Sequence, residues 1–361
     1  MMWMKRDGLC SRTLQSSTVL QLTEYFDSLL SLFEALPMYT TDRLSLAGRI
    51  VELRTPSVAL RSRFLPALSH LLVDEENDGA ELTIWYAEDK DLARKVTAPP
   101  WPGFNAQGFH EGLDQEAVQL FFQPWQRQVF LYSRSKRTGI YWAQTAADVP
   151  WWEATFSFRI LFHFWTRDLP AQLVHAGAVA KNGEGVLITG PSGSGKSTSC
   201  LNLLRAGYEY LGDDYVWVEL GGSPRVHTLY QTAKVEPHNL RERFSDWMPR
   251  VINTEAVGQQ KAIFHVGELY PKSLIKSATL QAILLPTVAN QVASTLTEAR
   301  PSETLLAMAP TTLHHLPHHR QVAYQKLRDI SAAIPGFRWQ LGADKQQFEA
   351  SIQQLLAHEL S

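Results

Sequence analysis

Residues 173–218 read LVHAGAVAKNGEGVLITGPSGSGKSTSCLNLLRAGYEYLGDDYVWV. Inside this stretch, Gly190-Pro-Ser-Gly-Ser-Gly-Lys-Ser197 fits the phosphate-loop pattern G-x-x-x-x-G-K-[ST] at every fixed position. The flanks agree with the pattern. Val186 to Thr189 is a short apolar, β-branched run that reads as a buried strand. Ser197 to Arg205 reads as a helix with Cys200, Leu201 and Leu204 on one side, stopped by Gly207. Glycines at 190, 193 and 195 let backbone N–H groups turn inward with no Cβ in the way of an anion. The helix start adds its positive dipole end. Lys196 would reach the β- and γ-phosphates of ATP, and the Ser197 hydroxyl would ligate Mg²⁺. The cofactor-binding set read from the loop is Gly190, Ser192, Gly193, Ser194, Gly195, Lys196, Ser197 and Thr198.

Two further features flank the loop. Tyr208 to Gly212 is strand-like and ends in Asp213-Asp214, followed by a second strand from Tyr215 to Leu220. Carboxylates at the carboxyl end of a strand beside a phosphate loop can hold Mg²⁺ and can accept a hydroxyl proton. Solvated turn carboxylates are the plainer reading. Upstream, His175 stands in Val174-His-Ala-Gly-Ala178, a predicted strand joined to the loop strand by Lys181-Asn-Gly-Glu-Gly185. Asn-Gly is a hairpin signal.

In this order and spacing, the histidine–glycine strand, hairpin, phosphate loop and paired aspartates resemble the catalytic domain of the HPr kinase/phosphorylase family. That family belongs to the phosphoenolpyruvate-carboxykinase-like P-loop proteins. The resemblance spans roughly residues 170 to 290. It implies that Asp213 deprotonates an attacking hydroxyl, that Asp214 joins Ser197 on Mg²⁺, and that His175 lies near the catalytic aspartate. A hydrogen-bonded core histidine is the alternative for His175. Lys261 falls where the family has an arginine that contacts the transferred phosphoryl group, and Lys234 is a looser candidate for such a role. Either could equally be a solvated lysine. Thr198 replaces the family's usual glutamate, and the glycine-and-arginine signature of the bifunctional enzymes is missing from 221 to 245. Phosphorolysis, HPr as substrate and hexamer formation are therefore not carried over. The N-terminal half does not match the family's own N-terminal domain. The architecture is closer to divergent HPr-kinase-like proteins found beside peptide-modification and export systems, some of which phosphorylate serine on a peptide.

Composition sets the frame. At 361 residues, with 45% hydrophobic and 11% aromatic content, the chain can bury a large core across two domains. A net charge of −2 gives no electrostatic footprint for nucleic acid or anionic membrane. Two cysteines, Cys10 and Cys200, are too few for a disulfide framework. The opening residues lack the apolar core of a signal peptide, and no window of about 18 apolar residues exists to span a bilayer, so a cytoplasmic protein is expected.

The predicted architecture is α/β: a smaller N-terminal α/β domain over 1–168, with acceptor recognition as its role, then the P-loop kinase domain over 169–361. Thr18 and Gln21 suggest a capping box for a helix to about Ala35. Arg49 to Arg54 and Glu81 to Tyr86 read as strands, Ser57 to Val73 as a helix, and 96–127 as an irregular excursion. Gln128 to Arg134 and Ile140 to Thr145 form a predicted hairpin, and Trp151 to Arg167 an aromatic-rich helix. Eight of the eleven tryptophans precede residue 166, a density that suits core packing first and a ligand groove second. Residues 232–260 are predicted as a long loop with a short helix at the active-site mouth. Lys261 to Val266 and Leu280 to Leu285 are expected to add strands to the main sheet. Helices are expected from Pro301, over 320–334 and over 345–358, with a strand at Phe337 to Leu341. His314, His315, His318 and His319, split by Pro317, read as a polar turn and not as a metal site.

The expected activity is transfer of the γ-phosphoryl group of ATP to a hydroxyl, a serine on a protein or peptide, with no nucleic-acid partner and self-association left open. A nucleotide-gated binding protein without transfer, and a kinase of free serine or another metabolite, are the competing readings.

Overall fold

The structure is a computed structural model and describes residues 7–74, 79–113, 117–289, 291–316, 318–342 and 344–357; side chains are described from residue 21 onward, except those of 111 and 345–347. Cys10 and Thr18 as side chains, Pro317, and the end of the last expected helix at His358 lie outside the described residues.

The fold is α/β. Helix α1 (Asp7–Glu34) runs ahead of a six-stranded sheet made of β1 (Thr40–Leu46), β2 (Arg49–Thr55), β3 (Leu82–Glu88), β4 (Val118–Gln123), β5 (Gln128–Ser133) and β6 (Thr138–Ala143). The strand order is β1-β2-β3-β6-β5-β4, with β3 parallel to both neighbours and the other pairs antiparallel. The β1–β2 turn, Ala47-Gly48, has both residues at positive φ, the geometry that matches strand twist in a two-residue hairpin. Leu22, Phe26, Leu29, Leu30 and Phe33 of α1 bury against Trp85, Leu131, Ile140 and Trp142 on one sheet face. The helix starts well before Thr18, so no cap exists there. Helix α2 (Val58–Leu68), capped by the Ser57 side chain accepting from the Leu60 amide, packs on the other face.

Two strands of this sheet go beyond the sequence reading. β1 has no predicted counterpart. β4 lies inside the stretch expected to be irregular, because five of its six residues are buried and no alternation marks it. The expected aromatic helix is broken into α3 (Trp151–Thr155) and α4 (Arg159–Thr166). Phe158 sits at φ 60 between them.

The second half builds a nine-stranded sheet from β7 (Ala171–Val174), β8 (Gly177–Lys181), β9 (Glu184–Ile188), β10 (Glu209–Gly212), β11 (Val216–Glu219), β12 (Arg225–His227), β15 (Ser277–Val288), β16 (Thr295–Ala299) and β17 (Gly336–Leu341). Its path is β10-β8-β9-β15-β12-β11-β7, with β17 pairing β15 and β16. Asn182-Gly183, both at positive φ, close the β8–β9 hairpin as the sequence predicts. The helices described in this half are α5 (Lys196–Arg205), α6 (Pro237–Arg243), α7 (Val266–Leu269), α8 (Pro301–His315), α9 (Arg320–Ala333) and α10 (Lys345–Leu356), with short 3-10 turns between some of them.

The stretch expected as a loop from 232 begins with a strand, β13 (Thr232–Val235). The apolar run after Lys261, β14 (Ala262–His265), pairs with β13 in a separate ribbon and not in the main sheet. That ribbon and the short helices beside it have their own core of Phe244, Trp247 and Phe264 against Leu201 and Leu204 of α5. One apolar cluster joins the halves, packing Phe64, Tyr86 and Phe158 with Tyr215, Trp217 and Tyr230. At the crossing, the Lys326 ammonium donates to the carbonyls of Thr166, Arg167 (2.9 Å), Leu169 (2.8 Å) and Ala171 (3.1 Å).

Candidate active site

The predicted phosphate loop lies between β9 and α5. Gly190, Gly193 and Gly195 all have positive φ, at 150°, 80° and 103°. A Cβ on Gly193 would meet nothing within 4 Å, whereas one on Gly195 would stand 2.9 Å from Leu341 Cδ1. The loop thus presents an open concave backbone, a shape a phosphate can enter. The Lys196 ammonium folds back to donate to the carbonyls of Gly190 (2.9 Å) and Pro191 (3.0 Å). Burial lowers its pKa, against the pull of Asp214 and Asp213. Ser192, Gly193, Gly195, Lys196, Ser197 and Thr198 line a cleft of about 1270 Å³. Ser194 does not line it; its hydroxyl is buried and without a hydrogen-bond partner, close behind Gly190. The Thr198 hydroxyl accepts from Asn239 Nδ2 at 3.4 Å.

Both aspartates follow β10, and both are nearly fully buried, at 2% and 8% exposure. They differ in placement. Asp214 lines the cleft and Asp213 does not. Asp213 Oδ2 accepts the Lys234 backbone amide at 3.0 Å, and its Oδ1 is buried with no hydrogen-bond partner. Burial, then the charge of Asp214, pushes the Asp213 carboxyl up to about 6, with the Lys234 amide and the Ser197 hydroxyl acting the other way. Burial alone would raise Asp214 too. There the Lys234 ammonium, with His175 behind it, outweighs burial and holds the carboxylate well below its usual range.

His175 is not on a strand. It occupies the bend between β7 and β8, with Nε2 3.6 Å from Asp214 Oδ1 and its amide donating to Thr312 Oγ1 of α8 at 3.1 Å. Lys261 lines the same cleft and pairs with Glu236 at 2.9 Å. Burial would lower the Lys261 pKa, but the Glu236 contact outweighs it and the net shift is upward.

Several cleft residues were not in the sequence-predicted set. His315 packs against His175 with tilted rings whose centroids are 4.7 Å apart, and burial followed by the charge of His175 pushes its pKa down to about 4. The histidine stretch is accordingly not a polar turn. His314 and His315 end helix α8, and His318 is buried at 1% exposure. Trp151, Trp152, Phe156 and Arg159 enter the cleft from the N-terminal half. Arg159 donates to the Tyr215 hydroxyl at 3.1 Å and lies over the same ring. Of the early tryptophans, Trp85, Trp142 and Trp165 are core, Trp151 and Trp152 face the cleft, and Trp125 is exposed. No spacing rule predicts these contacts, because they come from separate elements that meet only in the fold.

No protein-family model matches the chain, and no curated protein matches its sequence. Among solved structures, the chain is similar to the Hpr(Ser) kinase/phosphatase from Coxiella burnetii. The identity is 12% and the TM-score 0.30, over 53% of this chain and 99% of that one. A superposition that loose says nothing about mechanism. Among the described residues, no helix is long and apolar enough to cross a membrane.

Proposed function

We propose that the chain is an ATP-dependent phosphotransferase of the HPr-kinase-like P-loop type, acting on a serine hydroxyl of a protein or peptide. The observation that carries this reading is one cleft lined by the glycine loop, Lys196, Ser197, Asp214, His175 and Lys261 together. In this reading residues 169–361 form the kinase domain and 1–168 the acceptor-recognition domain, whose Trp151, Trp152 and Arg159 stand in the cleft wall.

The residues suit the chemistry. The open Gly193 backbone and the start of α5 would bind the phosphates, and Lys196 would leave its two loop carbonyls to meet them. Ser197 and Asp214 would hold Mg²⁺, an assignment that fits the hard oxygen donors present and the low pKa of Asp214. A bound Mg²⁺ would neutralise charge on the transferring phosphate. Asp213 would take the proton of the acceptor hydroxyl through its free Oδ1, and a carboxylate shifted up toward 6 is a stronger base than an ordinary aspartate. Lys261 would face the negative charge that develops on the phosphoryl oxygens.

The test is incubation with Mg-ATP and serine-containing peptides or proteins, with products weighed by mass spectrometry. Transfer that vanishes in Asp213→Asn while nucleotide binding persists supports the reading. Nucleotide binding without transfer to any acceptor removes it. The low exposure of Asp213 favours a second reading, in which nucleotide only switches a binding surface. In that case Asp213→Asn would leave partner binding and its nucleotide dependence intact. Competition by free serine against a peptide acceptor separates a metabolite kinase from both.

A further inference from the structure

Lys234 touches both aspartates in two different ways. Its backbone amide, fixed by the pairing of β13 with Ile263 of β14, donates to Asp213 Oδ2. Its ammonium forms an ion pair with Asp214 Oδ2, and His175 Nε2 approaches the other Asp214 oxygen. One oxygen of the cleft-facing carboxylate is thus held by an ammonium, and the other lies 3.6 Å from an imidazole. A divalent cation that binds through Asp214 Oδ2 has to move the ammonium already there.

The ammonium already stands against aromatic faces that can keep it when Asp214 is taken. Lys234 Nζ stands 4.7 Å from the Phe156 ring centroid and 5.6 Å from that of Trp151, both contributed by the N-terminal half. The ring quadrupole of an aromatic face attracts an ammonium within about 6 Å of its centroid. The nearby acid Glu236 is occupied by Lys261, so it does not compete for Lys234. Only the four-carbon side chain needs to shift, because the amide stays tied to Asp213.

Resting on the phosphotransferase reading, we propose that Lys234 is an internal counter-ion for Asp214. It holds the carboxylate while the cleft is empty and yields it to the divalent cation. The freed ammonium then sits on the Phe156–Trp151 faces, in reach of the cleft where phosphate charge arrives. Metal binding to the nucleotide-free protein is weak as a consequence, and metal and nucleotide enter together. Lys234 acts here as a positioning residue for Asp214.

The experiment is a Mn²⁺ titration of nucleotide-free protein followed by electron paramagnetic resonance, for the wild type, Lys234→Met, Lys234→Arg and Asp214→Asn. Lys234→Met is expected to bind Mn²⁺ at least about tenfold more tightly than wild type, since one opposing charge beside the site is gone. Lys234→Arg should stay weak, and Asp214→Asn weaker still. Unchanged or weaker binding in a Lys234→Met protein with a wild-type melting curve overturns the proposal. Should that variant not fold, the wild type decides alone. Saturating Mn²⁺ should increase labelling of Lys234 by an amine-reactive ester, read by peptide mass spectrometry, and unchanged or reduced labelling overturns the proposal. Binding of a fluorescent ATP analogue is measured in parallel. Its absence removes the phosphotransferase reading, whereas intact nucleotide binding with unaltered Mn²⁺ affinity removes only the role of Lys234.

Discussion

A Cβ placed on Gly177 would stand 2.3 Å from the Cys200 sulfur, with the Asp213 carbonyl at 3.3 Å. Strand β8 and helix α5 thus approach too closely at this point for a side chain on residue 177. Gly177→Ala should destabilise the protein by about 1–3 kcal/mol through overpacking and should weaken nucleotide binding as α5 is pushed outward. Cys200→Ala, placed on top, should recover part of both losses. Thermal melts and nucleotide titrations of the two single variants and the double variant check this, and strictly additive losses would show that the contact is not the cause.

Transfer should depend on pH through Asp213. In the phosphotransferase reading Asp213 is the base and works only when ionised, and burial beside Asp214 raises its pKa to about 6. The rate at saturating substrate is therefore expected to fall about tenfold per pH unit below that value and to level off above it. Two coupled carboxylates lose protons as a pair, so the inflection belongs to the dyad. A profile flat between pH 5 and 8 would remove Asp213 from the role of base.

Glu153 offers a stability test outside the chemistry. It is 1% exposed, neither of its oxygens has a hydrogen-bond partner, and burial pushes its pKa up to about 7. The folded state therefore holds the proton more tightly than the unfolded chain does. The stability this contributes is present in full below the unfolded value near 4.3 and is lost as pH rises through about 7. The melting temperature should drop between pH 5 and 8, by an amount on the order of a few kcal/mol in stability, and Glu153→Gln should flatten that slope. Equal slopes in the two proteins would contradict the assignment.

Arg159 should matter to the acceptor and not to ATP. Its guanidinium lies in the cleft wall against Tyr215, and its Nε is buried without a partner. Arg159→Lys should raise KM for the acceptor about tenfold by giving up the planar fork, with nucleotide affinity nearly unchanged. An equal loss for both ligands would place Arg159 in the general architecture of the cleft.

The backbone shape of the glycine loop was legible because its requirements are local. Three glycines, a lysine and a serine at fixed spacing between a strand and a helix describe a backbone shape, and the structure gives each of those glycines a positive φ. The Asn182-Gly183 hairpin was legible for the same reason. Strand β4 was hidden because burial on both faces erases alternation, and prolines and glycines upstream suggested a loop. The ribbon of β13 and β14 was half seen: the apolar run of β14 was evident, but nothing local says which strand it pairs with. Arg159 and His315 were missed because they reach the cleft from α4 and α8, and only tertiary packing sets Tyr215 between Arg159 and His175.

The Lys326 ammonium gathers four carbonyls from the stretch that joins the halves, and one apolar cluster runs from Phe64 to Trp217 across the same crossing. Severing the chain near residue 168 would strip hydrocarbon from both pieces and leave a positive charge with half of its cage. The halves thus share one core, so a lesion among the early aromatics would also loosen Tyr215 and Trp217, which follow the paired aspartates.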